Sequence, residues 1–292
     1  HFTELFVPLE SLQNEAAPEW EVAASHIILG LEKIASPPAA VVITNATKRP
    51  RLAFVSPLPP LKSGISEYSA QLLPMLAQYY EIEVIVDQEC VSDPRLDEMF
   101  LVRSAEWFEK NANTFDRVLY HFGNSPMHKY MHSLLSKIPG IVVLHDFYLM
   151  DWKVGGRLKE NCNIVIRNHG VRALIEGVQL DSAAIKNWSI AANLEILQNA
   201  TGVIVHSAES CRMGTEWYGA DAIKDWCVVP LLRPAVDITP HDREKARTKL
   251  GFKKDDLVIC TFGHITQTKL GTTLLSAFKA CQFPTDQRVK LV

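Results

Sequence analysis

The chain has 292 residues, 47% of them hydrophobic, with 30 basic against 33 acidic side chains and a formal net charge of −3. That is the composition of a globular protein with one or two cores, and it excludes a disordered or collagen-like chain. It also supplies no global pull toward nucleic acid or an anionic membrane, so no nucleic-acid partner is expected.

Six scattered cysteines without a CxxC pair argue against a disulfide framework and for a reducing, cytoplasmic compartment. No run of about 18 apolar residues marks a membrane span, and the opening HFTELFVPLE lacks the basic region and apolar core of a signal peptide. A soluble protein is expected, at most peripheral to the inner face of a membrane. The chain opens at His1 rather than Met and stops at RVKLV, residues 288–292, which reads as the first half of a buried strand. We therefore expect it to be part of a longer polypeptide whose other domains are its partners.

From Pro18 to Ile34, Trp20, Ala23, Ala24, Ile27, Ile28, Leu31 and Ile34 fall on one face at three-and-four spacing, which predicts an amphipathic helix ended by Pro37 and Pro38. Residues 1–36 are read as the helical tail of a preceding domain, and 37–50, rich in small residues and proline, as a linker. Residues 51–236 then alternate apolar runs with helical patterns: RLAFVS (51–56), EIEVIVD (81–87), RVLYHF (117–122), GIVVLHD (140–146), GVIVHS (202–207) and WCVVP (226–230). Continuous apolar strands separated by amphipathic helices predict a parallel sheet covered on both faces, a doubly wound, Rossmann-like α/β domain. Ligands of such sheets bind beyond the carboxyl ends of the strands. Residues 237–292 are read as a polar linker, then a strand LVICTFG (257–263) and a helix GTTLLSAFKAC (271–281), the start of a second Rossmann-like domain.

Four strand ends carry polar residues. After the first run, SPLPPLKSG ends at Ser63-Gly64; glycine permits close backbone approach and the next helix offers amides to an anion, although an ordinary βα turn also uses one glycine. After the third, Gly123-Asn124 can turn the chain and Ser125 can cap a helix starting at Pro126. His128 and His132, four apart, with His121, fit either a metal site or a polar helical face; without the Glu of HExxH, no metal is expected. After the fourth, His145 and Asp146 end a strand too apolar to be exposed, so the imidazole either meets a substrate hydroxyl or caps the next turn. In TFGHITQTK (261–269), Gly263, His264 and Lys269 suit phosphate oxygens at a helix start. No GxGxxG, Walker loop or GxSxG occurs, which disfavours dinucleotide, P-loop and serine-hydrolase chemistry, the last despite HSAES at 206–210. Arg157, Lys159, Arg167 and Arg172 form either a basic edge for a lipid phosphate or plain solvated charges.

The ordered set SPLPPLKSGISEYS, HFGNSPMH, PGIVVLHDFYL, GVIVHSAESCRMGTEWYGAD and FGHITQTKLGTTLLSAF resembles the GT-B glycosyltransferases of the large retaining family 4, from residue 51 to the end. The resemblance implies two Rossmann-like domains, the acceptor held mainly by the first and a nucleotide-sugar donor mainly by the second. By position, Ser63 and Gly64 match the loop near the donor diphosphate and acceptor, and Asn124 and Asp146 line the cleft. His145 matches the catalytic histidine after the fourth strand, and Gly263, His264 and Lys269 the donor-diphosphate site. It implies a UDP- or GDP-sugar co-substrate, a carbohydrate or lipid-linked acceptor, no metal and no other cofactor. The family often carries two glycines where Ser63-Gly64 stands, and many members an Arg where His264 stands. Its ExxxxxxxE donor motif lies beyond Val292, so this segment alone is expected to be inactive. The alternative is a glycosyltransferase-like module that binds a glycan or scaffolds a partner without catalysis.

Overall fold

The computed structural model describes residues 49–149, 163, 165–171, 191–231, 238–262, 270–283 and 288–292. The chain divides into two units, His1–Pro234 and Ala235–Val292. The expected helix from Pro18 to Ile34 lies outside the described residues.

The first unit is built on a seven-stranded sheet in the order β3-β2-β1-β4-β5-β6-β7, all neighbours parallel. Its strands are β1 (Arg51–Val55), β2 (Glu81–Val86), β3 (Leu101–Ser104), β4 (Arg117–Phe122), β5 (Gly140–Leu144), β6 (Ala200–Val205) and β7 (Cys227–Val228). Alternate residues point to opposite faces. Leu52, Phe54, Leu119, Ile141, Val143 and Ile204 pack on one side, under Tyr68, Leu72, Leu73 and Leu76 of helix α1 (Gly64–Leu76) and Leu96 of α2 (Pro94–Met99). Ala53, Val55, Tyr120, Phe122, Val142, Leu144, Val203 and Val205 pack on the other. There they meet Phe108 of α3 (Ala105–Asn111), Met131, Leu134 and Leu135 of α4 (Lys129–Lys137) and Ile196 of α5 (Leu194–Asn199). Each fully buried Leu or Phe contributes about 1.5–3 kcal/mol, and apolar residues on both faces leave no polar alternation. The doubly wound α/β reading is what the structure shows.

Strand β3 was not among the expected runs. It is a four-residue edge strand with Leu101 exposed, held at its neighbour by charge. The buried Glu83 of β2 accepts from Arg103 Nε at 2.8 Å and pairs with Arg51 of β1. Arg103 also lies 4.5 Å over the Trp107 ring, a cation–π contact. After β6 come α6 (Ala208–Tyr218) and α7 (Ala220–Ile223).

In the second unit the segment read as a polar linker contains a helix, α8 (Pro240–Lys249), started by a capping box between Thr239 and Asp242 with Pro240 in its first turn. Strands β8 (Leu257–Ile259) and β9 (Val289–Leu291) pair in parallel around α9 (Gly271–Ala280), a βαβ unit. The strand expected over 257–263 is thus three residues long within its described part. The carboxylate of Asp256 accepts from Arg288 Nε at 2.7 Å and from the Lys253 amide at 2.9 Å, and Arg288 holds it well below the usual carboxylate range. No helix among the described residues is long and apolar enough to cross a membrane.

Candidate functional site

The strand order reverses between β1 and β4, so the chain leaves these neighbouring strands in opposite directions and opens a crevice at their carboxyl ends. The loop after β1 forms one wall. The Gln88 side chain grips it as a strand would, accepting from Leu58 N at 3.0 Å while its amide donates to the carbonyls of Leu58 at 3.0 Å and Cys90 at 2.8 Å. Ser63 then caps α1, its Oγ accepting from Ser66 N at 3.0 Å, and Gly64, the first helical residue, is exposed. At the strand end, Ser56 and Ser69 share a buried hydroxyl–hydroxyl bond of 2.7 Å that ties β1 to α1.

The loop after β4 lies against that wall. A Cβ on Gly123 would stand 2.1 Å from Ile65 Cδ1, 3.0 Å from His128 Cε1 and 3.3 Å from Asp146 Oδ2. The glycine is therefore needed for space. Next to it the Asn124 amide donates to Asp146 Oδ2 at 2.8 Å, so the carboxylate after β5 sets the loop after β4. Ser125 does not cap with its side chain. Pro126–His128 is a 3-10 turn, and Ser125 Oγ lies 3.0 Å from His128 Nδ1 instead. His128 is buried rather than displayed on a polar helical face, and burial pushes its pKa below the ordinary value.

Three histidines stand side by side on the α1 face of the sheet. His121 is the next same-face residue after Leu119 on β4, His145 after Val143 of β5, and His206 after Ile204 of β6. Val143 pairs with both His121 and Ile204. His121 Nδ1 lies 3.0 Å from His145 Nε2, His145 Nδ1 lies 3.0 Å from His206 Nε2, and His206 Nδ1 lies 2.8 Å from the Val229 carbonyl. Tyr68 of α1 covers them edge-on, its ring centroid 5.2 Å from that of His145 and 5.5 Å from that of His206. The rings bond to each other instead of converging on a common point, and among the described residues no cluster of three or more metal-ligating side chains is formed. Burial first, and then the neighbouring imidazoles, hold His121 and His145 well below 6.5. Burial also lowers His206, against the opposing pull of the Val229 carbonyl and Asp146. Burial thus favours the neutral form of all three rings.

Of the residues singled out in the sequence, Ser63, Gly64, Asn124, His145 and Asp146 lie beyond the carboxyl ends of β1, β4 and β5, three consecutive strands of the sheet order. His145 and Asp146 remain partly exposed. Gly263, His264 and Lys269 lie outside the described residues, as do Arg157, Lys159 and Arg172; Arg167 is exposed and faces Glu195 at 3.6 Å. Sequence reasoning weighed His121 only as a metal ligand and His206 only within HSAES, not as partners of His145, and it missed the cover Tyr68 and the clamp Gln88. Period-two parity was the available signal for the histidines, since each falls two residues past an inward core position. No protein-family model matches the chain, and no curated protein matches it.

Proposed function

We propose that the chain belongs to a glycosyltransferase that moves a hexose from a UDP- or GDP-sugar to a carbohydrate or lipid-linked acceptor, with retention, in polysaccharide or glycoconjugate synthesis. The observation that carries this reading is the meeting of the Ser63-Gly64 helix start, Gly123-Asn124 and His145-Asp146 at the reversal point of the sheet. An exposed glycine at a helix start admits a diphosphate close to backbone amides. Breaking a sugar–phosphate bond builds negative charge on that diphosphate, so amides at the start of α1 favour the transition state over the ground state. The family resemblance alone assigns Lys269 to the same diphosphate. The reading calls for neither a metal nor another cofactor.

A second reading, a glycan-binding module without catalysis, is favoured by one observation. Both ring nitrogens of His145 are already engaged, by His121 and His206. The two readings separate in one experiment on the full-length polypeptide that carries these residues, incubated with UDP- and GDP-hexoses while release of nucleoside diphosphate is measured. His145→Ala and Lys269→Ala are each expected to lower release at least about tenfold, the loss of about 1.4 kcal/mol of transition-state stabilisation. Unchanged release in both variants overturns the assignment of the site. Saturable glycan binding with no release supports the second reading.

A further inference from the structure

We infer that His206 is the positioning residue of this site, holding His145 as its neutral Nδ1–H tautomer through a one-way ladder of ring hydrogen bonds that starts at the Val229 carbonyl. A carbonyl oxygen only accepts, so at 2.8 Å it requires the His206 proton on Nδ1. That leaves Nε2 of His206 as a lone pair, which requires the proton of His145 on Nδ1. Nε2 of His145 is then itself a lone pair and takes the Nδ1 proton of His121. The direction is fixed at one end by a backbone atom, and it propagates through two 3.0 Å contacts to a ring 24 residues away from His145 in sequence. At the far end, Nε2 of His121 is a fully buried lone pair with no hydrogen-bond partner among the described residues.

This polarity governs what a further proton can do. With both ring-to-ring bonds intact, the six ring nitrogens of the ladder offer one open position, Nε2 of His121, so every protonated form of the intact ladder places an N–H there. That N–H would be buried and unpaired, which is costly twice over, for the charge and for the orphan donor. The ladder therefore admits a proton only by breaking a junction and releasing His145. The groups facing it are Tyr68 from α1, Asp146 after β5 and His128 from the turn after β4. Of these only Asp146 favours the charged form, and it acts on His206, the end nearest the backbone anchor.

The tautomers do not depend on the transferase reading; the consequence for turnover rests on it. Long-range proton–nitrogen correlation spectra of the chain with 15N-labelled imidazoles, at pH 7.5, are expected to show His121, His145 and His206 each with a protonated Nδ1 and a bare Nε2. An Nε2–H signal from His145 or His206 overturns the inference without any variant being needed. His206→Gln, whose amide oxygen can replace the Nε2 lone pair, is expected to keep the His145 tautomer, and His206→Leu to lose it. A His145 still purely Nδ1–H in a folded His206→Leu protein shows that His206 does not position it. In the full-length polypeptide His206→Leu is expected to lower kcat for donor cleavage about tenfold with KM for the donor unchanged, with most of the loss restored by His206→Gln. Equal losses in both variants refute the positioning role. A wild type that cleaves no nucleotide sugar removes the transferase reading, and the spectra still decide the ladder.

Discussion

Gly123 is the residue on which the crevice closes. Its missing side chain lets the loop after β4 rest on Ile65, at the start of α1, while His128 and Asp146 close the other two sides. Of the three neighbours, the Ile65 methyl can move aside most cheaply, whereas Asp146 is committed to the Asn124 amide. Adding one methyl here overpacks a filled site, which costs about 1–3 kcal/mol. We expect Gly123→Ala to lower the free energy of unfolding by about that amount in urea titrations. Trimming the opposing side chain should return part of it, so the double variant Gly123→Ala, Ile65→Ala should be more stable than the sum of the two single losses. Additive losses would show that the methyl meets something other than Ile65. The same contact links fold to function, because pushing Ile65 outward displaces the first turn of α1, to which Gly64 belongs.

At the scale of elements, what could be read from the sequence depended on which surfaces each element buries. The central strands are legible because both faces are covered, and FV, VIV, VVL and VIV stand out as unbroken apolar runs. Strand β3, LVRS, shows no such run because it is an edge. Its place is set by Arg103 reaching Glu83, a contact between residues 20 apart that no periodicity announces. Helix α8 buries no residue and so carries no apolar stripe; its local signs were the capping box in TPHD and Pro240 at the helix start. The histidine ladder was half legible, since parity places each ring on the α1 face while strand register alone brings them into contact. The edge strand supplies a test. Arg103→Ala removes one of two charged partners from the buried Glu83 carboxylate. With Arg103 about one-third exposed, the cost should be near the low end for a charged hydrogen bond, about 1.5 kcal/mol. Amide exchange should accelerate across residues 101–104 and stay unchanged in β4, β5 and β6. Uniform acceleration would mean that the ion pair supports the whole sheet rather than its edge.

For the molecule as a whole, the buried histidines make stability depend on pH in one direction. His121, His128, His145 and His206 all have pKa values lowered in the folded state, chiefly by burial, while in the unfolded chain each titrates near 6.5. Below about 6.5 the unfolded state therefore binds protons that the folded state refuses, and stability falls as pH falls; above it both states are neutral and the contribution is flat. Each histidine contributes a slope of up to about 1.4 kcal/mol per pH unit between its unfolded and folded values. All six tryptophans lie in the first unit, so urea unfolding followed by tryptophan fluorescence reports on that unit alone. We expect the midpoint to be constant between pH 8 and 7 and to fall steadily between pH 6.5 and 5. Asp256, in the second unit, has its carboxyl lowered from 3.8, so its loss of stabilisation begins only below that value and cannot contribute in this window. A His121→Leu, His145→Leu, His206→Leu triple variant removes three of the four groups, and its midpoint should fall less steeply over the same range, even if its stability at pH 8 is lower. A wild-type midpoint that stays level down to pH 5 would mean that the imidazoles titrate alike in both states and would overturn burial as the control on their pKa values.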